Sequence, residues 1–233
     1  MNYPTMTSAP SRTETLWGLI WLALSMILLP SALQLGNQLL AAPLSAGLLN
    51  VVYYCLNFGV TIWIFRKFLA ESMTAALRRT FPVIWYAILG YMGYQLLTEL
   101  VTYGILMVYP AYSNVNDENI YTMLSQDFMP LAFATVFLVP LAEEVTYRGL
   151  IFRKLFDRNP LAAYLVSMAA FAAIHVVGYI GTYEPVKLLL CFIQYFPAGY
   201  CLCWCYRQTG TILSPILMHT LVNGTAIYFA ARY

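Results

Sequence analysis

Apolar runs of about 20 residues recur along this chain, each long enough to cross the hydrocarbon core of a bilayer as a helix. Seven are predicted to span: Thr15–Leu35, Pro43–Phe65, Phe81–Tyr109, Met129–Leu150, Leu161–Ile180, Val186–Tyr206 and Thr211–Ala230. None shows the period-two alternation of a membrane strand, and only helices or closed barrels satisfy their own backbone in lipid. The expected fold is therefore all-α, a polytopic transmembrane bundle of about seven helices forming a single integral membrane domain over residues 1–233. With 61% hydrophobic and 9% charged residues and a mean hydropathy of +0.68, little is left from which to build a separate soluble domain. The first run continues through Leu35 and further spans follow, so it reads as a retained helix and not a cleaved signal.

Basic residues predict the orientation. Arg66, Lys67, Arg78 and Arg79 lie between the second and third spans, Arg153, Lys154 and Arg158 follow the fourth, and Arg207 follows the sixth. Ala111–Asp127 carries Asp117, Glu118 and Asp127 with no lysine or arginine. An N-terminus inside and a C-terminus outside place ten of the twelve basic residues on the cytoplasmic side, leaving Lys187 and Arg232 outside. The net charge of +2 is then a topology signal, and no nucleic-acid partner is expected. Phe68–Arg79 fits either an amphipathic helix on the cytoplasmic face or a polar loop. Cys55, Cys191, Cys201, Cys203 and Cys205 all fall in apolar segments and read as small hydrophobes. On a helix Cys203 points away from Cys201 and Cys205, so the triplet does not chelate.

Against this background the ionisable groups inside the spans stand out, because each costs roughly 2.5–3.5 kcal/mol at the centre of a bilayer on insertion scales. The fourth span carries Glu143, Glu144 and Arg148; Glu144 and Arg148, four apart, share a face and can pair. Glu143 is turned about 100 degrees away, and Pro140 one turn earlier removes a backbone hydrogen bond and bends the helix. Phe171 and His175 are likewise one turn apart, as are His219 and Asn223, with Pro215 before them. Counting about 1.5 Å per residue lets Glu143, His175 and His219 meet in the inner half of the bundle. A hydrated cavity opening to the cytosolic side is the expected setting.

In order along the chain these residues read Glu143-Glu144-x-x-x-Arg148, Phe171-x-x-x-His175 and His219-x-x-x-Asn223. Together, on successive helices, they resemble the three marks EExxxR, FxxxH and HxxxN of the CPBP intramembrane proteases, a family that includes CAAX-processing endopeptidases and bacteriocin-processing and immunity-type proteins. The resemblance covers about Met129 to Asn223, within an expected catalytic core of about 129–230.

What the resemblance implies is an endopeptidase of the bacterial inner membrane whose partners are the lipid bilayer and a peptide or protein substrate, possibly lipidated. By motif position Glu143 is the general base that activates water, assisted by His175. His219 and Asn223 hold the oxyanion, and Glu144 with Arg148 supports the helix. No cofactor is required in this reading. A zinc-dependent version, with Glu143, His175 and His219 as ligands, is the alternative, although HExxH is absent. Two further readings are a non-catalytic immunity or scaffold protein and a proton-relaying transporter; the intact polar set opposes the first and the lack of repeats the second. Glu99, midway along the third span, either lines the same cavity or has a local partner such as Gln95 or Tyr103.

Overall fold

The computed structural model describes residues 5–232, and the regular structure among them is helical, with one isolated bridge between Ile180 and Tyr183. The helices are α1 (Arg12–Gln38), α2 (Ala46–Ile64), α3 (Arg66–Leu77), α4 (Thr80–Val108), α5 (Val115–Phe156), α6 (Pro160–Ile174), α7 (Pro185–Gln194), α8 (Phe196–Thr209) and α9 (Leu213–Ala230). Five runs are long and apolar enough to cross a membrane: α1, α2, α5, α6 with the turn through Tyr179, and α7 with α8. The predicted third and seventh spans are present as helices but are not among the five. Gln95, Thr98 and Glu99 dilute the hydropathy of α4, as His219 and Asn223 do in α9.

Local chemistry explains most helix ends. A reciprocal capping box, Glu14 N–H to Ser11 Oγ and Ser11 N–H to Glu14 Oε2, opens α1. The other oxygen of Glu14 accepts the Phe68 N–H at 3.0 Å, so one buried carboxylate caps α1 and anchors the first turn of α3. Asn159 caps α6, and α8 ends on Gly210 with φ of 69°, the left-handed cap that glycine adopts without strain. Prolines within the long helices coincide with widened turns. Leu24–Leu28 precedes Pro30 and Ala134–Leu138 precedes Pro140, both π-helical. A proline cannot donate to the preceding turn, and a wide turn accommodates its ring. The expected bend at Pro140 takes this form.

The ends of the bundle differ in charge. Around α3, which packs against α9, α2 and α4, gather Arg66, Lys67, Arg78, Arg79, Arg153 and the last turn of α8. Arg79 donates to the Thr209 carbonyl, Arg153 to the Thr7 carbonyl, and Ser72 Oγ accepts the Ile212 N–H at 2.8 Å. This basic end is packed with Phe65, Phe68, Leu150, Phe152 and Tyr206. α3 is thus a helix with one face buried in the bundle, which settles the choice between helix and loop for Phe68–Arg79. The opposite, acidic end holds Asp117, Glu118, Asp127 and Glu184, with Lys187 bridging to Glu118 at 3.5 Å.

Two details go beyond the spans read from sequence. The acidic segment Ala111–Asp127 is helical from Val115, because Asn114 accepts the Asn116 and Asp117 N–H groups and Asp117 and Glu118 complement the helix dipole. Its acidity, read as a topology signal, also starts a helix, which kinks at Asp127 (φ −130°, ψ 49°) where Ser45 bonds the carboxylate. The predicted sixth span lies within one candidate crossing, Pro185–Thr209, which turns at Tyr195 between α7 and α8, with Pro197 in the first turn of α8.

The three cysteines of α8 lie buried among separate neighbours: Cys203 Sγ is 3.5 Å from Ser167 Oγ, and Cys205 Sγ 3.1 Å from the Tyr86 carbonyl. Cys205 and Met218 press against Gly90 of α4, where an added Cβ would overlap the Cys205 sulfur. Gly90→Ala should therefore separate α4 from α8 and destabilise the protein by about 1–3 kcal/mol. A lowered midpoint of thermal unfolding in detergent checks this; an unchanged midpoint contradicts the close approach.

Candidate functional site

Glu143 and Glu144 are adjacent on α5 and diverge by one helical step, so they meet different surroundings. Glu144 is fully buried: its Oε1 accepts from Arg148 Nη1 at 2.9 Å and lies 2.8 Å from His219 Nδ1. Arg148, also fully buried, donates through Nη2 to the Gly199 carbonyl at 3.3 Å and stacks over the Phe171 ring at 4.4 Å. The expected Glu144–Arg148 pair is therefore present, and it reaches beyond its own helix to α6, α8 and α9.

Phe171 sits at the centre of the cluster. Its ring is 4.8 Å from the His175 ring, 5.8 Å from His219 and 5.8 Å from Tyr147, the last two edge-on. His175 closes the C-terminal end of α6, where its Nδ1 lies 2.8 Å from the Phe171 carbonyl. A carbonyl only accepts, so Nδ1 carries the hydrogen and Nε2 keeps its lone pair. On its other side His175 stacks on Tyr195 at 4.0 Å.

Asn223 is fixed by the backbone of α5. In the wide turn the Val139 N–H reaches back five residues to the Ala134 carbonyl. The donor five residues beyond Thr135 is Pro140, which has no N–H. Asn223 Nδ2 fills the gap, donating to the Thr135 carbonyl at 2.8 Å. One amide hydrogen and the carbonyl of Asn223 remain to face the interior.

Glu143, His175, His219 and Asn223 all line one cavity of about 390 Å³. Glu143 Oε2 is buried in its wall and has no hydrogen-bond partner among the described residues. Asn116, Ile120, Gly178 and Tyr179 of the acidic end line the cavity, as do Trp21 and Ser25 of α1 and Tyr53 and Tyr54 of α2. Toward the basic end lies the buried aromatic core of Phe65, Phe68, Leu150 and Phe152. His219, Asn223, His175 and Asn116 also form the wall of a second chamber of about 160 Å³, which holds Asp117, Gln194 and Tyr195.

Asn116, Asp117 and Tyr195 were not singled out from sequence. Tyr195 donates to Asp117 Oδ1 at 3.3 Å while supporting His175, and Gln194 gathers Tyr112 and Asn114 at 2.6 and 2.7 Å. The available signal was Asn114 followed by Asp117 and Glu118, a helix start beside two amides. Glu99 lines neither chamber and is exposed on α4. Among the described residues no three His, Cys, Asp or Glu side chains are grouped closely enough to hold a metal ion as they stand.

A polar chamber sunk within an all-helical, lipid-facing bundle, walled by a carboxylate, two imidazoles and a carboxamide, defines an integral membrane protein equipped for chemistry inside its helices. Residues 125–225 match the family described as type II CAAX prenyl endopeptidase Rce1-like. The match covers 101 of the 233 residues, and over that segment the chain is similar to the CPBP, or CAAX protease, family of peptide hydrolases. No curated protein and no solved structure matches the chain.

Removing one partner of a buried ion pair is severe because it strands the other charge, by about 3–5 kcal/mol. Arg148→Met should lower the yield of monodisperse protein sharply, and Glu144→Gln/Arg148→Met should recover part of it. Size-exclusion profiles of the two variants test this; equal loss in both would show that the stranded carboxylate is not the cause.

Proposed function

We propose that this intramembrane CAAX-type endopeptidase hydrolyses its substrate with Glu143 as general base, in a catalytic core of about residues 129–230, and that its site is the bacterial inner membrane. The observation that carries the reading is the convergence of Glu143, His175, His219 and Asn223 on one cavity, with Glu143 Oε2 unpartnered there. A water beside Glu143 gives a proton to its carboxylate as its oxygen attacks the scissile carbonyl carbon. The lone pair of His175 Nε2, aimed by the bond from Nδ1 to Phe171, accepts the water's second hydrogen and orients it.

The carbonyl oxygen gains charge in this step, and Asn223 offers the amide hydrogen that Thr135 does not use. His219, held at Nδ1 by the Glu144 carboxylate, presents Nε2 to the same oxygen and serves it when that nitrogen carries a hydrogen. On collapse the C–N bond breaks and Glu143 returns its proton to the leaving amine, so the residues end as they began. No serine or cysteine nucleophile is needed. The substrate class is peptide or protein segments in or beside the membrane, lipidated or not.

The mechanism proposed is metal-free, and a zinc ion held by Glu143, His175 and His219 is its alternative. Zinc analysis of the purified protein tests it directly: stoichiometric metal with chelator-sensitive cleavage would replace the glutamate mechanism by the zinc one. Glu143→Gln should abolish processing of membrane peptides in the producing cell, while Asn223→Ala should slow it about 10²–10³-fold, the effect of losing one oxyanion donor. Comparative peptide profiling of cells carrying each variant reads both; undiminished processing by Glu143→Gln removes the assigned base.

A further inference from the structure

We propose that the substrate's peptide chain reaches Glu143 from the acidic, non-cytoplasmic end of the bundle, through a carboxamide-lined groove between α1 and α2, so that the segment cleaved is one presented at the outer face of the membrane. The proposal rests on the proteolytic reading above and names the route and the kind of substrate it serves.

The first observation is continuity. A groove of about 440 Å³ between the second half of α1 and the start of α2 shares Pro30, Asn50 and Tyr53 with the cavity that holds Glu143. Its far end lies at Gln38 and Leu44, beside the α1–α2 connection at the acidic end. From Gln38 to Pro30 the helix rises about 12 Å at roughly 1.5 Å per residue, the length of three or four extended residues.

The second observation is what blocks the other direction. Between Glu143 and the basic end lie Phe65, Phe68, Leu150 and Phe152, none more than 2% exposed, with α3 packed beneath them. A chain coming from the basic end would have to open this core, whereas the groove is already open.

The third is chemical. Gln34 and Gln38 are exposed along the groove, and Asn50 lies where it joins the cavity. A peptide crossing at membrane depth must satisfy its N–H and C=O groups, and a carboxamide supplies both donors and an acceptor. The groove therefore suits an extended polypeptide. The side of the membrane follows from charge. Arg66, Lys67, Arg78, Arg79, Arg153, Lys154, Arg158 and Arg207 belong to the opposite end, and basic loops stay in the cytoplasm.

The test uses cysteine accessibility in whole cells, in a Cys55→Ser background, since Cys55 is the exposed native thiol and the other four are buried. Single cysteines are placed at Ser25, buried in the cavity wall, and at Arg66, on the basic end, and probed with a small membrane-impermeant methanethiosulfonate. Ser25→Cys should react from outside, Arg66→Cys only after permeabilisation, and adding Gln34→Trp should slow the Ser25→Cys reaction roughly tenfold or more. Reaction of Ser25→Cys only from the cytoplasmic side, or not at all, overturns the route; so does outside labelling that Gln34→Trp leaves unchanged. Peptides that accumulate with Glu143→Gln should accumulate with Gln34→Trp as well. Should Glu143→Gln accumulate none, the proteolytic reading fails, while the labelling result still reports the route.

Discussion

One buried carboxylate, Glu144, holds the site together. It is closed off from solvent between the Arg148 guanidinium at 2.9 Å and His219 Nδ1 at 2.8 Å. Taking a charge out of water costs several kcal/mol per ion, and the loss is offset only when geometry is good and further hydrogen bonds are made. Here Arg148 also bonds the Gly199 carbonyl and lies over the Phe171 ring, whose edge neighbours carry the two histidines. The pair therefore works as a joint between four helices, not as a local link along one. The second glutamate, the arginine and the phenylalanine of the motifs hold the two histidines that line the cavity.

Backbone irregularity complements that joint. Pro140 withholds the hydrogen that the widened turn would give to the Thr135 carbonyl, and Asn223 provides one from another helix. In water such a gap would be filled by solvent. In a bilayer an unsatisfied carbonyl has no such recourse, so a side chain must close it. The result is an asparagine whose orientation is set by a proline more than 80 positions away in sequence. Substitutions at Pro140 thus bear on Asn223, although the two residues share no helix.

Asn116 and Tyr179 of the acidic end reach the chamber wall beside His175, whereas Phe65, Phe152 and their neighbours fill the basic end as a buried aromatic core. Asymmetry of this kind gives a direction to a site that would otherwise be a sealed pocket in lipid. The second chamber, with Asp117 and Tyr195 behind His175, places further polar groups next to the imidazole without adding a helix crossing.

Much was legible in the sequence because bilayer chemistry is one-dimensional: apolar length sets a helix, a buried charge demands a partner, and a four-residue spacing puts two side chains on one face. That fixed the helical class, the Glu144–Arg148 pair and the identity of the residues that come together. Spacing within a helix says nothing about which helix lies opposite. The bond from His219 to Glu144, the bond from Asn223 to Thr135, and the parts played by Asn116 and Tyr195 were therefore decided only by tertiary packing. Which residues of each helix line the cavity was decided the same way: depth along each helix can be counted from sequence, but which side is filled by aromatic rings depends on how the helices meet.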